Sequence, residues 1–429
     1  MFIQSQGVAF VSLFQNKIFV RRLFVKKHIF LLFICLFVLM IGFGITLPVL
    51  PYYAERLDTS GQISRETMVL HVSLLTSIYA LMQFICAPLW GKWSDRFGRK
   101  PLLLLGIGGS AISQILFGMA SSLEMLYIVR GIDGLLSSAA LPAAKAYVSD
   151  ITTEHERSQG MAWLGTAVSL GVVAGPAVGG LTSRRDLHFD FSFGHFVISS
   201  FSLPFFIAAT LMLLMFLIAN LWLPESLVRQ RTTIQVTQTP LQWQLIGNQL
   251  FILLSLTTLG QLGLAIFEGT FALYAQDKLS YTPMKIGIVF MVCGLVMAVF
   301  QIIAVNYLSG RLSVMKQIAS GFCLMGVGIT LLLFARTLFY VVSTVGVFAL
   351  GMSLIAPNLS ALISKRGGQH SGTVLGMQNS AYSLAQVGGP VVGGILFAWQ
   401  SSAPYLFAGV ILFGMGLLLG WKNKAGHVS

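Results

Sequence analysis

Four ionisable side chains fall inside long apolar runs of this sequence: Arg130, Asp133, Lys145 and Glu268. A charge at hydrocarbon depth costs several kcal/mol on most scales, so such a group usually lines a polar cavity and serves a function. Glu268, in LGLAIFEGTFALYAQDKLSY, has no sequence neighbour to neutralise it, and Gln261 falls on the same helical face two turns earlier. That helix therefore presents a polar stripe. An acid placed there can take up and release a proton and attract a cation, although a structural glutamate bonded to another helix has the same signature. Arg130 and Asp133, in IVRGIDGLL, are three residues apart and share a helix face. They can neutralise each other or form a second titrating site. Lys145 stands near the end of its run, from which its long side chain can snorkel to water.

Isolated polar residues in other apolar runs sketch the wall of a cavity. Tyr79 and Gln83 have i,i+4 spacing, as do Asn379 and Ser383, so each pair faces one direction. Gln301 is a further candidate. Taken singly, each of these residues is equally explained by a hydrogen bond between helices. Together with Gln261 and Glu268 they outline a large apolar pocket with few polar groups and one acid, which suits bulky lipophilic cations better than sugars.

The elements that must position these residues follow from composition. Of 429 residues, 55% are hydrophobic and only 10% are charged, and the mean hydropathy is +0.81. Such a chain is an all-α polytopic membrane protein and not an ordinary globular one. Runs of about 20 apolar residues, the length a helix needs to cross the hydrocarbon layer, can be marked at 29–53, 68–91, 101–120, 124–148, 158–182, 196–222, 249–275, 285–308, 317–335, 338–363, 372–397 and 403–421. This predicts twelve transmembrane helices with both termini on one side. Assigning that side to the cytoplasm puts 18 Lys and Arg in inner segments and seven in outer ones, with Arg130 and Lys145 inside runs, so both termini are expected in the cytoplasm.

The longest polar connection, 223–248, falls near the middle. The expected division is a basic cytoplasmic leader at 1–27 with no cleavage site, a six-helix bundle at 28–222, a cytoplasmic linker at 223–248, a second six-helix bundle at 249–421 and a short tail at 422–429. The halves echo each other: Gly175-Pro176 to Gly179-Gly180, in GPAVGG, recurs half a chain length later as Gly389-Pro390 to Gly393-Gly394, in GPVVGG. Such pseudo-symmetry suits a two-bundle transporter with a midplane site.

Several classes are excluded. The formal charge of +13 resides in loops beside spans with no basic domain to bind nucleic acid, so orientation and contact with anionic lipid account for it. The four cysteines lie in apolar runs without metal-ligand spacing and read as packing residues, so no metal is expected. No GxxxxGK[ST] motif and no catalytic constellation occurs, so no cofactor, ATP-driven step or enzymatic activity is expected.

The decapeptide Gly91 to Lys100, GKWSDRFGRK, reads as a basic turn at the membrane surface. Its Gly91, Asp95-Arg96 and Gly98-Arg99-Lys100 resemble, position for position, the loop between spans 2 and 3 of the major facilitator superfamily. The resemblance implies a conformational latch in which Asp95 and Arg99 pair with Asp150, from YVSD. Gly171, Gly175, Pro176, Gly179 and Gly180, in GVVAGPAVGG, resemble the fifth-span motif that marks antiporters in that superfamily. Arg130 followed by Gly134 resembles its fourth-span motif, whose arginine is linked to proton transfer; Asp133 is not part of that motif. FEGTFALYAQDKLSYTPMKIG and the opening GFGITLPVLPYYAERL are similar to the twelve-span NorA-type and tetracycline-efflux drug/proton antiporters. Within that group the span-7 acid carries the proton and contacts cationic drugs, which implies both roles for Glu268. The span-10 acid of that group is replaced here by Ser353, in GMSLIAPNLS. The resemblance thus implies a monomeric, cofactor-free, cell-membrane antiporter that exchanges protons for small lipophilic cations; a major-facilitator exchanger of metabolites, sugars or lipid-linked substrates is the competing reading.

Overall fold

A computed structural model describes residues 2–58, 63–183, 191–193, 196–198, 201–227, 247–303, 312–367 and 371–424. Helices dominate it: α1 (Phe2–Leu57), α2 (Arg65–Phe97), α3 (Arg99–Gly118), α4 (Leu123–Ser137), α5 (Ala140–Ile151), α6 (Glu154–Thr182), α7 (Leu203–Trp222), α8 (Asn248–Leu279), α9 (Pro283–Ile303), α10 (Val314–Leu331), α11 (Leu338–Gly367), α12 (Ser371–Trp399) and α13 (Ala403–Lys424). Eleven of the described helices are each long and apolar enough to cross a membrane. The fourth apolar run is divided between α4 and α5, joined by Ser138 and Ala139, whose backbone stays helical (φ −64°, ψ −12° and φ −73°, ψ −31°). Pro142 explains the interruption, because its ring removes a donor and crowds the carbonyl four residues upstream.

Two expectations are revised. Residues 2–27 have helical backbone continuous with the first apolar run, so α1 extends well below its expected start. The sixth run begins later than expected: a short antiparallel hairpin, β1 (Phe191–Phe193) with β2 (Phe196–Ile198), precedes α7, which starts with Pro204 in its first turn, where a missing N–H costs nothing. Most of the 223–248 connection lies outside the described residues.

Helices α1 to α7 pack mainly on one another, and α8 to α13 likewise; α6 against α9 and α12 against α2 join the two groups. The crossings depend on the repeated glycine-proline segments. Gly175 abuts Gly44 and the Ile41 carbonyl on α1, while Gly180 abuts Pro283, Met284 and Gly287 on α9. In the second copy, Gly389 abuts Ala265 and Gly394 abuts Ser73 on α2. Small residues let these backbones meet without losing helical hydrogen bonds.

Apolar burial is asymmetric along the long axis. One buried cluster runs continuously from Leu50, Tyr52 and Val69 into Phe267, Tyr274 and Phe290, bridging the groups at the end that carries Tyr281. At the end that carries Gly98, the cluster of Leu36, Leu103, Ala143 and Met215 belongs to α1–α7 alone. Polar contacts repeat the asymmetry: the Tyr52 hydroxyl donates to the Tyr281 carbonyl, Arg65 pairs with Asp277 and Gln276 donates to Glu55. The groups are thus fastened at the Tyr281 end.

Candidate functional site

A cavity of about 240 Å³ lies between the two groups, lined by Phe43 and Leu47 of α1, Thr76, Tyr79, Ala80 and Gln83 of α2, Gln261, Ala265 and Glu268 of α8, and Asn379, Tyr382, Ser383, Gln386 and Pro390 of α12. Six side chains singled out in the sequence, Tyr79, Gln83, Gln261, Glu268, Asn379 and Ser383, therefore meet on one surface although they come from three helices. Gln301 does not join them; it lies near the end of α9 and is exposed there. Glu268 is the one carboxylate on the lining, and most of the other lining residues are polar amides, hydroxyls and phenols, so the cavity is not the large apolar pocket with few polar groups that was expected. Inside a protein its charge still attracts a cation more strongly than in bulk water. Phe43, Thr76, Tyr382 and Gln386 escape sequence reading, because nothing distinguishes one aromatic or amide on a long helix until its neighbours are known.

On α2, the Gln83 amide donates to the Tyr79 hydroxyl at 2.9 Å and to Ser137 Oγ at 3.3 Å, and Ser137 donates to the Tyr79 hydroxyl at 3.3 Å. The expected i,i+4 pairing is thus a direct hydrogen bond, tied to α4. The Tyr79 ring stacks on Phe43 with centroids 5.4 Å apart.

Arg130 and Asp133 share a face as expected, with Nη1 and Oδ2 3.7 Å apart. Both are buried, and neither lines the cavity. Asp133 Oδ1 accepts from Ser110 at 3.0 Å. The Arg130 guanidinium lies 4.6 Å from the Tyr79 ring centre and 5.6 Å from that of Phe117, and its Nε has no hydrogen-bond partner among the described residues. The Tyr79 ring therefore stands between this charge pair and the cavity. Lys145 is exposed. Ser353 is buried and donates to the Leu350 carbonyl of its own helix at 2.7 Å.

The decapeptide is helix and not the expected turn through Phe97; Gly98 alone breaks it, with φ 111° and ψ 159°, a conformation open essentially to glycine. Gly91 has no atom within 4 Å of where a Cβ would sit, so no close approach requires a glycine there. Arg99 is the centre of the cluster. It donates to Asp95 Oδ1 at 2.5 Å, to Asp150 Oδ2 at 3.0 Å and to Ser94 Oγ at 3.3 Å, as the latch pairing predicts. Asp95 does not cap α3. That place belongs to Glu225, which accepts from the Arg99 and Lys100 backbone N–H groups at 2.9 and 3.1 Å, an anion on the positive end of a helix. Ser226 adds a bond to Asp150 at 3.0 Å, and Lys100 Nζ donates to the Asn220 carbonyl at 2.7 Å. Arg96 lies over the Phe97 ring and takes no part in the cluster's bonds. The sequence offers no spacing that could join residues 225 and 226 to residue 99.

Gly171, Gly175 and Gly179 occupy one face of α6 against α1, where Cβ atoms would collide with Met40, Gly44 and Ile45; Gly180 turns toward α9, and the Pro176 carbonyl meets Gly287. Among the described residues, no group of three or more His, Cys, Asp or Glu is placed to hold a metal.

Many apolar helices in two groups, with a polar cavity between them lined by a half-buried acid, fit a multi-pass membrane transporter. The sequence model of the Major Facilitator Superfamily matches residues 32–387 and again 253–428, and the chain belongs to that superfamily. It is 31% identical over 411 residues to multidrug resistance protein 2 of Bacillus subtilis, covering 93% of this chain and 96% of that protein. It is 25% identical over 399 residues to the quinolone resistance protein NorA of Staphylococcus aureus, covering 92% and 96%. Its fold matches the crystal structure of a bacterial homologue of the human lysosomal transporter Spinster, inward-facing and occupied, with a TM-score of 0.71 at 14% identity over 94% and 92% of the two chains. The human organic anion transporter MFSD10 gives 0.63 at 21% identity over 92% and 99%.

Proposed function

We propose that this protein exports small lipophilic cations in exchange for protons by alternating access. The observation that carries the reading is Glu268: it is the one carboxylate on the lining of a cavity shared by both helix groups, opposite the Tyr79–Gln83 pair. The resistance proteins to which the chain is similar support drugs as cargo. A proton and a cation compete for one carboxylate, so each weakens the binding of the other equally. Facing outward, Glu268 takes a proton and releases its cation; facing inward, it gives up the proton and binds the next one.

The Gly98 end is the cytoplasmic end in this reading, supported by the Lys and Arg distribution, so the fastened Tyr281 end faces outward and the cavity is poised toward the cytoplasm. Two bundles, 28–222 and 249–421, rock about the cavity. Asp95, Arg99, Asp150 and Glu225 brace the first bundle at its cytoplasmic end, and the glycine faces of α6 and α12 form the crossings about which the bundles move. The protein works as a monomer in the cell membrane, with both termini inside, no cofactor and membrane lipid as its surroundings.

The test is reconstitution into vesicles with an imposed pH gradient. Ethidium accumulating against its own gradient, and collapsing on addition of a protonophore, is the expected result. Ethidium that never moves would refute drug export.

A further inference from the structure

The Arg130 guanidinium is covered by a side chain that is itself part of the cavity wall. Tyr79 lines the cavity with Gln83 and Glu268, while its ring covers Arg130 at 4.6 Å. The cover matters because Arg130 is poorly held otherwise: its nearest carboxylate oxygen, on Asp133, is 3.7 Å away, beyond a hydrogen bond, and its Nε has no partner among the described residues. A buried guanidinium with so few partners depends on the π face of the ring for much of its stabilisation. The ring is in turn held on the cavity side by the Gln83 amide at 2.9 Å and the stack on Phe43, and from α4 by Ser137 at 3.3 Å.

We infer that Tyr79 is a positioning residue that reports cargo in the cavity to the Arg130–Asp133 pair, making Asp133 a second proton site coupled to transport. This inference rests on the export reading above. A lipophilic cation that stacks on Phe43, or that donates to the Gln83 side-chain carbonyl and so draws the Gln83 N–H away from the Tyr79 hydroxyl, loosens the clasp on the Tyr79 ring. With the cavity empty, Asp133 carries a proton on Oδ2, while Oδ1 accepts from Ser110. As the ring turns away, Arg130 keeps only the farther ring, Phe117 at 5.6 Å, and draws on the Asp133 carboxylate, which gives up that proton to solvent. Cargo binding thus expels a proton from Asp133, and by reciprocity a proton on Asp133 lowers cargo affinity. The groups that the described residues place against Asp133 are Arg130 on its own helix, Tyr79 across from α2 and the uncharged Ser110 from α3.

The experiment counts protons released per ethidium bound at saturation, with purified protein in weakly buffered detergent and a pH-indicating dye, a ratio that a mere loss of affinity does not move. The inference expects Asp133→Asn to lower the count below wild type, and Tyr79→Leu or Tyr79→Met to lower it by the same amount. The double variant Tyr79→Leu/Asp133→Asn should fall no further, and Tyr79→Phe, which keeps the ring face and the Phe43 stack but loses the hydroxyl bonds, should give a count above that of the ringless variants. Either ringless variant suffices, so misfolding of one leaves the comparison intact. A wild-type count in Asp133→Asn, or in the folded ringless variants, overturns the inference. So does an additive loss in the double variant. If wild-type protein releases no proton on binding ethidium, the export reading itself fails, whereas release that vanishes with Glu268→Gln yet ignores Asp133 and Tyr79 defeats the present inference alone.

Discussion

Removing the two carboxylates that flank Arg99 should have unequal effects, although the two acids look alike in the sequence. Asp150 Oδ2 accepts from both Arg99 Nε and Ser226 Oγ at 3.0 Å, and its side chain is only 26% exposed. Hydrogen bonds to charged groups contribute about 1.5–3 kcal/mol, so Asp150→Ala should cost about 2 kcal/mol once partial exposure is allowed for. Asp95 is 70% exposed and bonds Arg99 across one helical turn, a surface pair worth about 0.3–0.5 kcal/mol. The gap, about 1.5 kcal/mol, corresponds to slightly more than a tenfold ratio of unfolding constants. Reversible unfolding in mixed detergent micelles of rising denaturing-detergent content, followed by tryptophan fluorescence, resolves such a gap. Equal losses, or a larger loss for Asp95→Ala, would refute the picture of Arg99 anchored chiefly by Asp150 and the segment after α7.

Three further outcomes follow from the same geometry. Glu268→Gln should leave a folded protein whose ethidium transport no longer responds to an imposed pH gradient; retained gradient-driven accumulation in the vesicle assay would remove Glu268 from the coupling step. Gly91→Ala, in open space inside α2, should stabilise by about 0.5–1 kcal/mol, whereas Gly98→Ala should destabilise by about 1–3 kcal/mol through its backbone conformation and its encroachment on Glu225; a thermal-melting series that ranks them the other way is the refuting result. Gly175→Val, which drives a branched side chain into Gly44 and the Ile41 carbonyl, should cost about 3 kcal/mol or more and abolish surface expression, while Gly165→Ala, with no neighbour within reach, should leave expression unchanged.

What could be read in advance divides along the range of the interactions. The helices were legible because each spans the hydrocarbon layer by its own apolar length, a local property. The pairs Tyr79/Gln83 and Asn379/Ser383 were legible because i,i+4 spacing fixes direction. Gln301 failed the same reasoning: a polar residue near the end of a helix needs no cavity to explain it. Glu225 was invisible for the opposite reason, since its role depends on a segment from the end of α7 returning to the first turn of α3. The turn expected over Gly91 to Lys100 narrows to Gly98, which has a positive φ, because two glycines in a sequence do not show which of them the backbone needs. That Tyr79 screens Arg130 also required three dimensions, because α2 and α4 must be seen side by side.

The crossing of α6 and α9, backbone on backbone at Gly180, Gly287 and the Pro176 carbonyl, also bears on speed. Interlocked side chains act as gear teeth, and each step past one another must disengage them. A crossing made of bare peptide surface has no teeth, so the two helices can slide and tilt like polished shafts, with little to break at the moment of passage. A single methyl group at Gly180 or Gly287 acts as grit in that bearing: it burdens the turnover of the machine, while the cargo, in a cavity that neither glycine lines, is gripped as before.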